Sequence, residues 1–246
     1  MEVYLNRIDG FDDAIVSMFL SKRTLTRELE WEIREAVYHA SLGRTSPNGT
    51  FGELCEAKMS DQLKDWMDKL FKWGRQHMTM LRFIDLSFSI YGLHRGGQDD
   101  YDSHAMRMNN RIIRSSTRLA DFSKGEVSEY YADKIIPTDV ALAYLGITTP
   151  DEIEFEGRTY VRSVNGYIVK GMENNKDVKR GLYMLSIPSN FICRWQLTEF
   201  SHLYKERNQF GTAHPELKQA VEESVDLAEA VSAGYINRQL LYDIPN

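Results

Sequence analysis

This sequence predicts an α+β fold, mostly helical with a small antiparallel or mixed sheet, on three observations. Apolar residues recur at three- and four-residue spacing through several long stretches, as amphipathic helices require. Shorter stretches alternate apolar and polar residues with period two, as half-buried strands do. No Pro/Gly/Ser-rich linker and no internal repeat divides the 246 residues. A single domain over 1–246 is therefore expected, with a hairpin around 138–178.

The first predicted helix is TLTRELEWEIREAVYHASL (24–42), which stops before the loop-forming GRTSPNG. A second helix is expected over 52–75, where Leu63, Trp66, Met67, Leu70 and Phe71 keep helical spacing and Gly74 offers a cap. Trp66, Phe71 and Trp73 read as core. MLRFIDLSFSIYGL (80–93) alternates as a strand does, and HRGGQDD reads as a flexible turn that breaks it. A helix over about 102–114 follows, with Ala105, Met108 and Ile112 on the face away from its arginines. IEFEGRTYVRSVNGYIVKG (153–171) predicts a β-hairpin turning at Asn165-Gly166. KDVKRGLYMLSIP reads as a short helix entering an apolar stretch before Pro188. Helices are then expected over 194–207 and 214–235, the second with Pro215 in its first turn, and the tail beyond is expected to be peripheral.

Composition narrows the function classes. The chain is 42% hydrophobic and 27% charged, ordinary for a globular protein. Its 30 basic and 36 acidic residues give a net charge of −6, which argues against a general nucleic-acid or membrane surface and leaves room only for a local anion site. MEVYLNRIDG has an acidic residue at position 2 and no apolar core, so no signal peptide is expected. The longest apolar runs, such as VALAYLGI (140–147), are too short to span a bilayer. Cys55 and Cys193 form neither a disulfide framework nor a zinc pattern, and a reduced, soluble, cytoplasmic protein is expected.

Chemistry concentrates in MRMNNRIIRSSTRLADF (106–122), where Arg107, Arg111, Arg114 and Arg118 lie four, three and four residues apart. On a helix these would share one stripe, where each close like-charge pair costs roughly a few tenths of a kcal/mol. A bound anion would offset that repulsion. Ser115, Ser116 and Thr117 sit where the helix should stop, and a turn there would bring the hydroxyls and Arg118 into one cradle. Guanidinium suits phosphate because its planar fork binds two oxygens at once. The alternative is a solvated basic face neutralised by Asp99, Asp100, Asp102 and Asp121. In YKERNQFGTAHPELK (204–218), Arg207 ends one helix and Thr212 is a candidate N-cap for the next, although an ordinary helix–helix connection explains the same pattern. The six histidines show no metal-binding spacing, and Cys193 reads as a small buried hydrophobe.

Taken in order, four blocks resemble the flavin-dependent thymidylate synthase (thymidylate synthase complementing protein) family. They are LKDWMDKLFKWGRQHMTMLRFIDLSFSI, HAMRMNNRIIRSSTRLADFSKGEVSEYY, KDVKRGLYMLSIP and HLYKERNQFGTAHPELKQAVEE. The family's Ser-x-Arg corresponds to Ser116-Thr117-Arg118, and its Arg-His-Arg triplet falls on Met106-Arg107-Met108, where only the centre is basic. The family's strand histidine is absent, with Arg82 nearby. The resemblance implies FAD bound between the subunits of a homotetramer, and methylation of dUMP to dTMP with methylenetetrahydrofolate and NADPH. It places Arg114, Ser115, Ser116, Arg118 and Arg207 at the nucleotide, with Arg207 polarising the uracil. Arg82, Arg107, Arg111 and His214 would lie at the flavin. The altered triplet keeps two alternatives open: a related C5-modifying enzyme of dUMP or dCMP, or a non-catalytic nucleotide-binding or assembly protein on the same fold.

Overall fold

The computed structural model describes residues 1–44, 46–102, 111–116, 126–209 and 213–245, with Arg180 and Gln209 described in backbone only. In chain order the elements are strand β1 (Glu2–Asp9), helices α1 (Phe11–Ser21) and α2 (Arg27–Ala40), and strands β2 (Ser41–Leu42) and β3 (Glu53–Leu54). Helix α3 (Asp61–Gly74), strand β4 (Asp85–His94), helix α4 (Arg95–Asp102) and strand β5 (Arg111–Arg114) follow. Then come helix α5 (Thr138–Tyr144), strands β6 (Glu152–Phe155), β7 (Arg158–Ser163) and β8 (Gly166–Val169), helix α6 (Lys176–Arg180) and strand β9 (Pro188–Gln196). Helices α7 (Leu197–Tyr204), α8 (Pro215–Val231) and α9 (Arg238–Asp243) close the chain. Helices predominate beside small sheets, and the predicted α+β class holds.

The residues fall into two compact units. The first comprises Met1, Tyr91–Asp99 and Arg114–Phe191; the second comprises Glu2–Ile90, Asp100–Ile113 and Ile192–Asn246. In the second, a sheet of order β1-β4-β9-β5 buries one face. Leu5 and Ile8 of β1, Leu86, Phe88 and Ile90 of β4, and Cys193 and Trp195 of β9 point into the core. In β4 and β9 the alternate neighbours Asp85, Ser87, Ser89 and Arg194 are half-buried, the period-two pattern of a sheet with one apolar face. Phe88 stacks on Phe200 of α7 with ring centroids 5.4 Å apart. Helix α8 packs on β1, and α1 lies against α2 and α3. The first unit carries the antiparallel meander β6-β7-β8.

Helix α2 matches its sequence signal, with Thr26 Oγ1 accepting from Leu29 N at 3.2 Å as N-cap. The helix expected over 52–75 starts only at Asp61, capped by Ser60 Oγ, which accepts from Leu63 N at 3.1 Å. Gly52 explains the delay. Its φ of +84° is non-helical, and a Cβ there would lie 2.0 Å from Ile8 O, so the backbone is held against β1 before pairing as β3. Trp66 and Phe71 are buried as expected, whereas Trp73 is half-buried with Lys22 Nζ 4.4 Å above its ring.

The stretch read as a flexible turn after the strand is helix α4. Its paired glycines let the first turn close over the buried His94, because a Cβ on Gly97 would sit 2.6 Å from His94 Cε1. The arginine helix over 102–114 is a correction of the opposite kind: Arg111–Arg114 is strand β5. The β-branched pair Ile112-Ile113 favours extended backbone, and β5 pairs beside β9. Ala105, Arg107 and Met108 lie outside the described residues, as do Thr117, Arg118, Asp121 and Thr212.

Three further boundaries differ from the sequence reading. The stretch read as one hairpin over 153–171 takes in all three strands of the meander. A first turn at Glu156-Gly157 joins β6 to β7, and the turn between β7 and β8 is Val164-Asn165 (φ +56°), since Gly166 already pairs with Ser163. The helix expected over 194–207 begins at Leu197, because Phe191, Cys193 and Trp195 bury one face of β9 through Gln196. The tail expected to be peripheral is core, with Ile236, Leu240, Leu241 and Ile244 at most 1% exposed. Among the described residues, no helix is long and apolar enough to cross a membrane.

Candidate functional site

The arginine segment divides its sequence-predicted residues between the two units, and each group has its own geometry. In the first unit, β5 ends at Arg114, and Ser115 N and Oγ both donate to Asn190 O, at 2.8 and 3.1 Å. The Ser115 hydroxyl is thus engaged with backbone. Ser116 is half-buried beside it. Arg114 Nη1 is ion-paired to the exposed Asp99 of α4. Arg95 approaches the same carboxylate at 4.0 Å and donates from Nη1 to Ser115 O at 3.4 Å. Two guanidinium groups therefore face one solvent-exposed carboxylate. A phosphate dianion could replace that carboxylate without having to displace a buried partner.

Sequence reasoning did not single out Arg95. Its signal was faint, a basic residue before two glycines in a stretch read as a turn. Asp99 was anticipated as a neutralising acid, and for Arg114 that expectation is met.

In the second unit, the other predicted residues each have a distinct setting. Arg82 is exposed in a short 3-10 turn, Met80–Phe83. Arg111 Nη2 pairs with Asp85 Oδ1 at 3.0 Å, so the neutralised reading fits this arginine as well. The strand geometry adds a correction: Arg111 and Arg114 are an odd number of residues apart in β5 and do not share the single stripe a helix would give. Arg207 is half-buried in a π-helical turn, Lys205–Gln209, and donates from Nη2 to Asp100 O at 2.6 Å. Burial pulls its guanidinium below its ordinary range, while Asp100 and Glu206 oppose that shift. His214, rather than Thr212, is the N-cap of α8, its Nδ1 accepting from Glu216 N at 3.2 Å.

Asp85 belongs to a larger network that the sequence did not reveal. Arg194 Nη2 donates to Asp9 Oδ1 at 2.9 Å and lies 2.9 Å from Asp85 Oδ2, so one guanidinium nitrogen links carboxylates of β1 and β4. Desolvation raises the Asp9 carboxyl above its usual range, and Asp85 adds to that rise against the pull of Arg194 and Arg7. The sequence reading places Arg194 at the start of a helix; the alternation of Phe191, Cys193 and Trp195 around it is the signal that could have placed it on a strand.

No family model matches the sequence, and no curated protein matches it. Among solved structures, thymidylate synthase X of Helicobacter pylori, crystallised with FAD and dUMP, superposes with a TM-score of 0.55 at 13% identity, over 98% of this chain and all of that one. A second structure of the H. pylori flavin-dependent enzyme, also with FAD and dUMP, gives a TM-score of 0.54 at 13% identity over the full length of both. The fold is thymidylate synthase X-like. At 13% identity the likeness shows the fold alone.

Proposed function

We propose that this chain binds a pyrimidine deoxynucleotide and, as a divergent flavin-dependent thymidylate synthase, methylates dUMP to dTMP using methylenetetrahydrofolate and NADPH. The observation that carries the proposal is the end-to-end structural likeness to thymidylate synthase X structures holding FAD and dUMP. In this reading Arg114 and Arg95, with Ser115 and Ser116, receive the nucleotide phosphate as Asp99 moves aside, and Arg118, which lies outside the described residues, is proposed to bind the same nucleotide. Arg207 orients the uracil and offsets the negative charge that grows on the ring as its C5 becomes nucleophilic. A half-buried guanidinium suits that role, because the weaker solvent screening around it strengthens its field.

The donor set fits FAD in kind. Arg82 is exposed and the Arg111 side chain is 42% exposed, so both can present guanidinium to a diphosphate. Arg82, Arg107, Arg111 and His214 are the residues proposed to hold it. When bound, FAD would supply the hydride-transfer chemistry that NADPH feeds. The family's homotetramer, with sites shared between subunits, and a cytoplasmic location belong to the same proposal.

The Met106-Arg107-Met108 triplet and the neutralised arginines favour one second reading, a non-catalytic nucleotide-binding protein on this fold. Two measurements separate the readings. Visible absorbance after incubation with FAD and gel filtration reports the cofactor, and calorimetric titration with dUMP reports the nucleotide. Retained flavin, dUMP binding lost in Arg118→Ala and Arg114→Gln, and NADPH-dependent dTMP formation would support the enzyme. A colourless protein that still binds dUMP would favour the binding protein. Unchanged dUMP affinity in both variants would overturn the nucleotide site itself.

A further inference from the structure

The second unit holds a cleft that the nucleotide reading leaves unused. It has a volume of about 470 Å³ and is lined by Asn6, Arg7, Arg44, Phe51, Ser87 and Arg194. The pleat explains much of this lining. Asn6, Ser87 and Arg194 occupy half-buried positions on β1, β4 and β9, neighbours in the sheet, while the alternate residues Leu5, Leu86, Cys193 and Trp195 fill the core. Arg44 and Phe51 come from the loop between β2 and β3, held against β1 by Phe51 N donating to Asn6 O at 3.0 Å and Ile8 N donating to Phe51 O at 2.9 Å. The Arg7 guanidinium sits 4.6 Å from the Phe51 ring centroid.

The charge around this cleft does not balance. Arg194 and Arg111 share Asp85, and Arg194 also holds Asp9. Arg7 reaches Asp9 only at 3.5 Å. Arg44 donates to a backbone carbonyl, Asn6 O, at 3.1 Å and has no carboxylate partner among the described residues. Four guanidinium groups thus answer to two carboxylates in a chain whose net charge is −6. One donor is also unspent among the described residues: the buried Arg194 Nε makes no hydrogen bond. The half-buried Ser87 lines the same cleft.

We propose that this cleft is a binding site for a phosphate-bearing small molecule, with Arg44, Arg7, Arg194 and Ser87 as its donors. A phosphate group fits better than a single carboxylate, because its several oxygens can accept from guanidinium groups presented from different directions. The volume is in the range of small-molecule sites. Phe51 also lines an adjoining cleft of about 590 Å³ whose walls include Ile8, Phe11, Val37, Tyr38 and Leu42, which offers an apolar place for the rest of the ligand. The site uses none of the residues assigned to dUMP or FAD, so it stands or falls separately from the proposed synthase activity.

The test is calorimetric titration of the full chain with inorganic pyrophosphate at fixed ionic strength, in the wild type and in Arg44→Gln, Arg7→Gln and Arg114→Gln. Arg44 and Arg7 are exposed, so their variants should fold, and unchanged thermal melts would establish that they do. The expected result is pyrophosphate binding weakened about tenfold or more in Arg44→Gln and in Arg7→Gln, with Arg114→Gln equal to wild type. No binding to the wild type would overturn the site. So would wild-type affinity in both cleft variants, or a loss confined to Arg114→Gln, which would move the anion to the end of β5.

Discussion

At the scale of single residues, Asp99 decides how available Arg114 is. The carboxylate occupies the guanidinium that the nucleotide reading needs, yet its own side chain is 53% exposed, and exposed pairs of this kind are worth about 0.2–1 kcal/mol. Asp99→Asn should therefore tighten dUMP binding by up to about fivefold, read by calorimetry. Weaker binding in that variant would mean that Asp99 positions Arg114 rather than competing for it. Cys193 has the opposite character. Trp195 Nε1 donates to its Sγ at 3.2 Å, the side chain is 1% exposed, and burial pushes the thiol up to about 12 from an ordinary 9.0. Below pH 9 the folded and unfolded chains both keep this proton. Above it, only the unfolded chain releases the proton, so stability falls as pH rises from 9 towards 12, by at most about 1.4 kcal/mol per pH unit. The buried Tyr101 hydroxyl, also pushed up by desolvation, adds to the decline at higher pH. Denaturant melts across this window should show the slope, and Cys193→Ala should reduce it. A thiol reagent should label only Cys55 in the native protein and both cysteines after unfolding.

At the scale of elements, legibility tracked how many forces agreed. In α3, periodicity, charge placement and burial coincide, and Leu63, Trp66, Met67, Leu70 and Phe71 face the core as their spacing predicts. Its start was misjudged by nine residues, from 52 to Asp61, because the tight approach of Gly52 to Ile8 is a tertiary contact with no local signal. Ser60 is the true start signal. Ser60→Ala should cost about 1 kcal/mol in a urea titration, and an unchanged midpoint would show that tertiary packing alone sets the helix boundary. The segment around β5 misled for a different reason. Arginines at four, three and four spacing imitate a helical stripe, while the local preference of Ile112-Ile113 and the neighbouring strand β9 favour extended backbone. Alternation is the more reliable guide where it is followed, since β4 buries the residues that period two selects, whereas the sequence reading passes over the same period in β9 for a helix starting at 194. Of the candidate site, the pairing of Arg114 with an acidic neighbour, Asp99, could be read from the sequence. Arg95, Asp9 and Arg194 could not, because strand pairing and helix packing bring them to their partners from distant parts of the chain.

At the scale of the whole molecule, the last residues show how far a terminal segment can be structural. Helix α9 is short, and with no long periodic run it reads as a loose tail. Yet Leu240, Leu241 and Ile244 are at most 1% exposed, and α9 packs on α7. Ser201 Oγ donates to Leu241 O at 2.6 Å, and the buried Lys205 ammonium donates to Ile244 O. Burial pulls that ammonium below its ordinary range, so the tail carbonyl accepts from a cation that is costly to keep out of water. Three buried aliphatic side chains contribute roughly 5–9 kcal/mol together. The net stability of a folded protein is only about 5–15 kcal/mol. Removing residues 238–246 should therefore abolish the cooperative thermal transition followed by circular dichroism and expose dye-binding apolar surface. The Arg75–Asp243 pair, at 2.8 Å, provides the control. Arg75→Gln keeps the apolar contacts and loses one partly exposed ion pair, so its melt should stay within about 1 kcal/mol of wild type. If the truncated protein melted like the wild type, the burial of Leu240, Leu241 and Ile244 would carry no weight in holding the fold together. If both variants lost the transition, the ion pair rather than the apolar contacts would be what anchors α9.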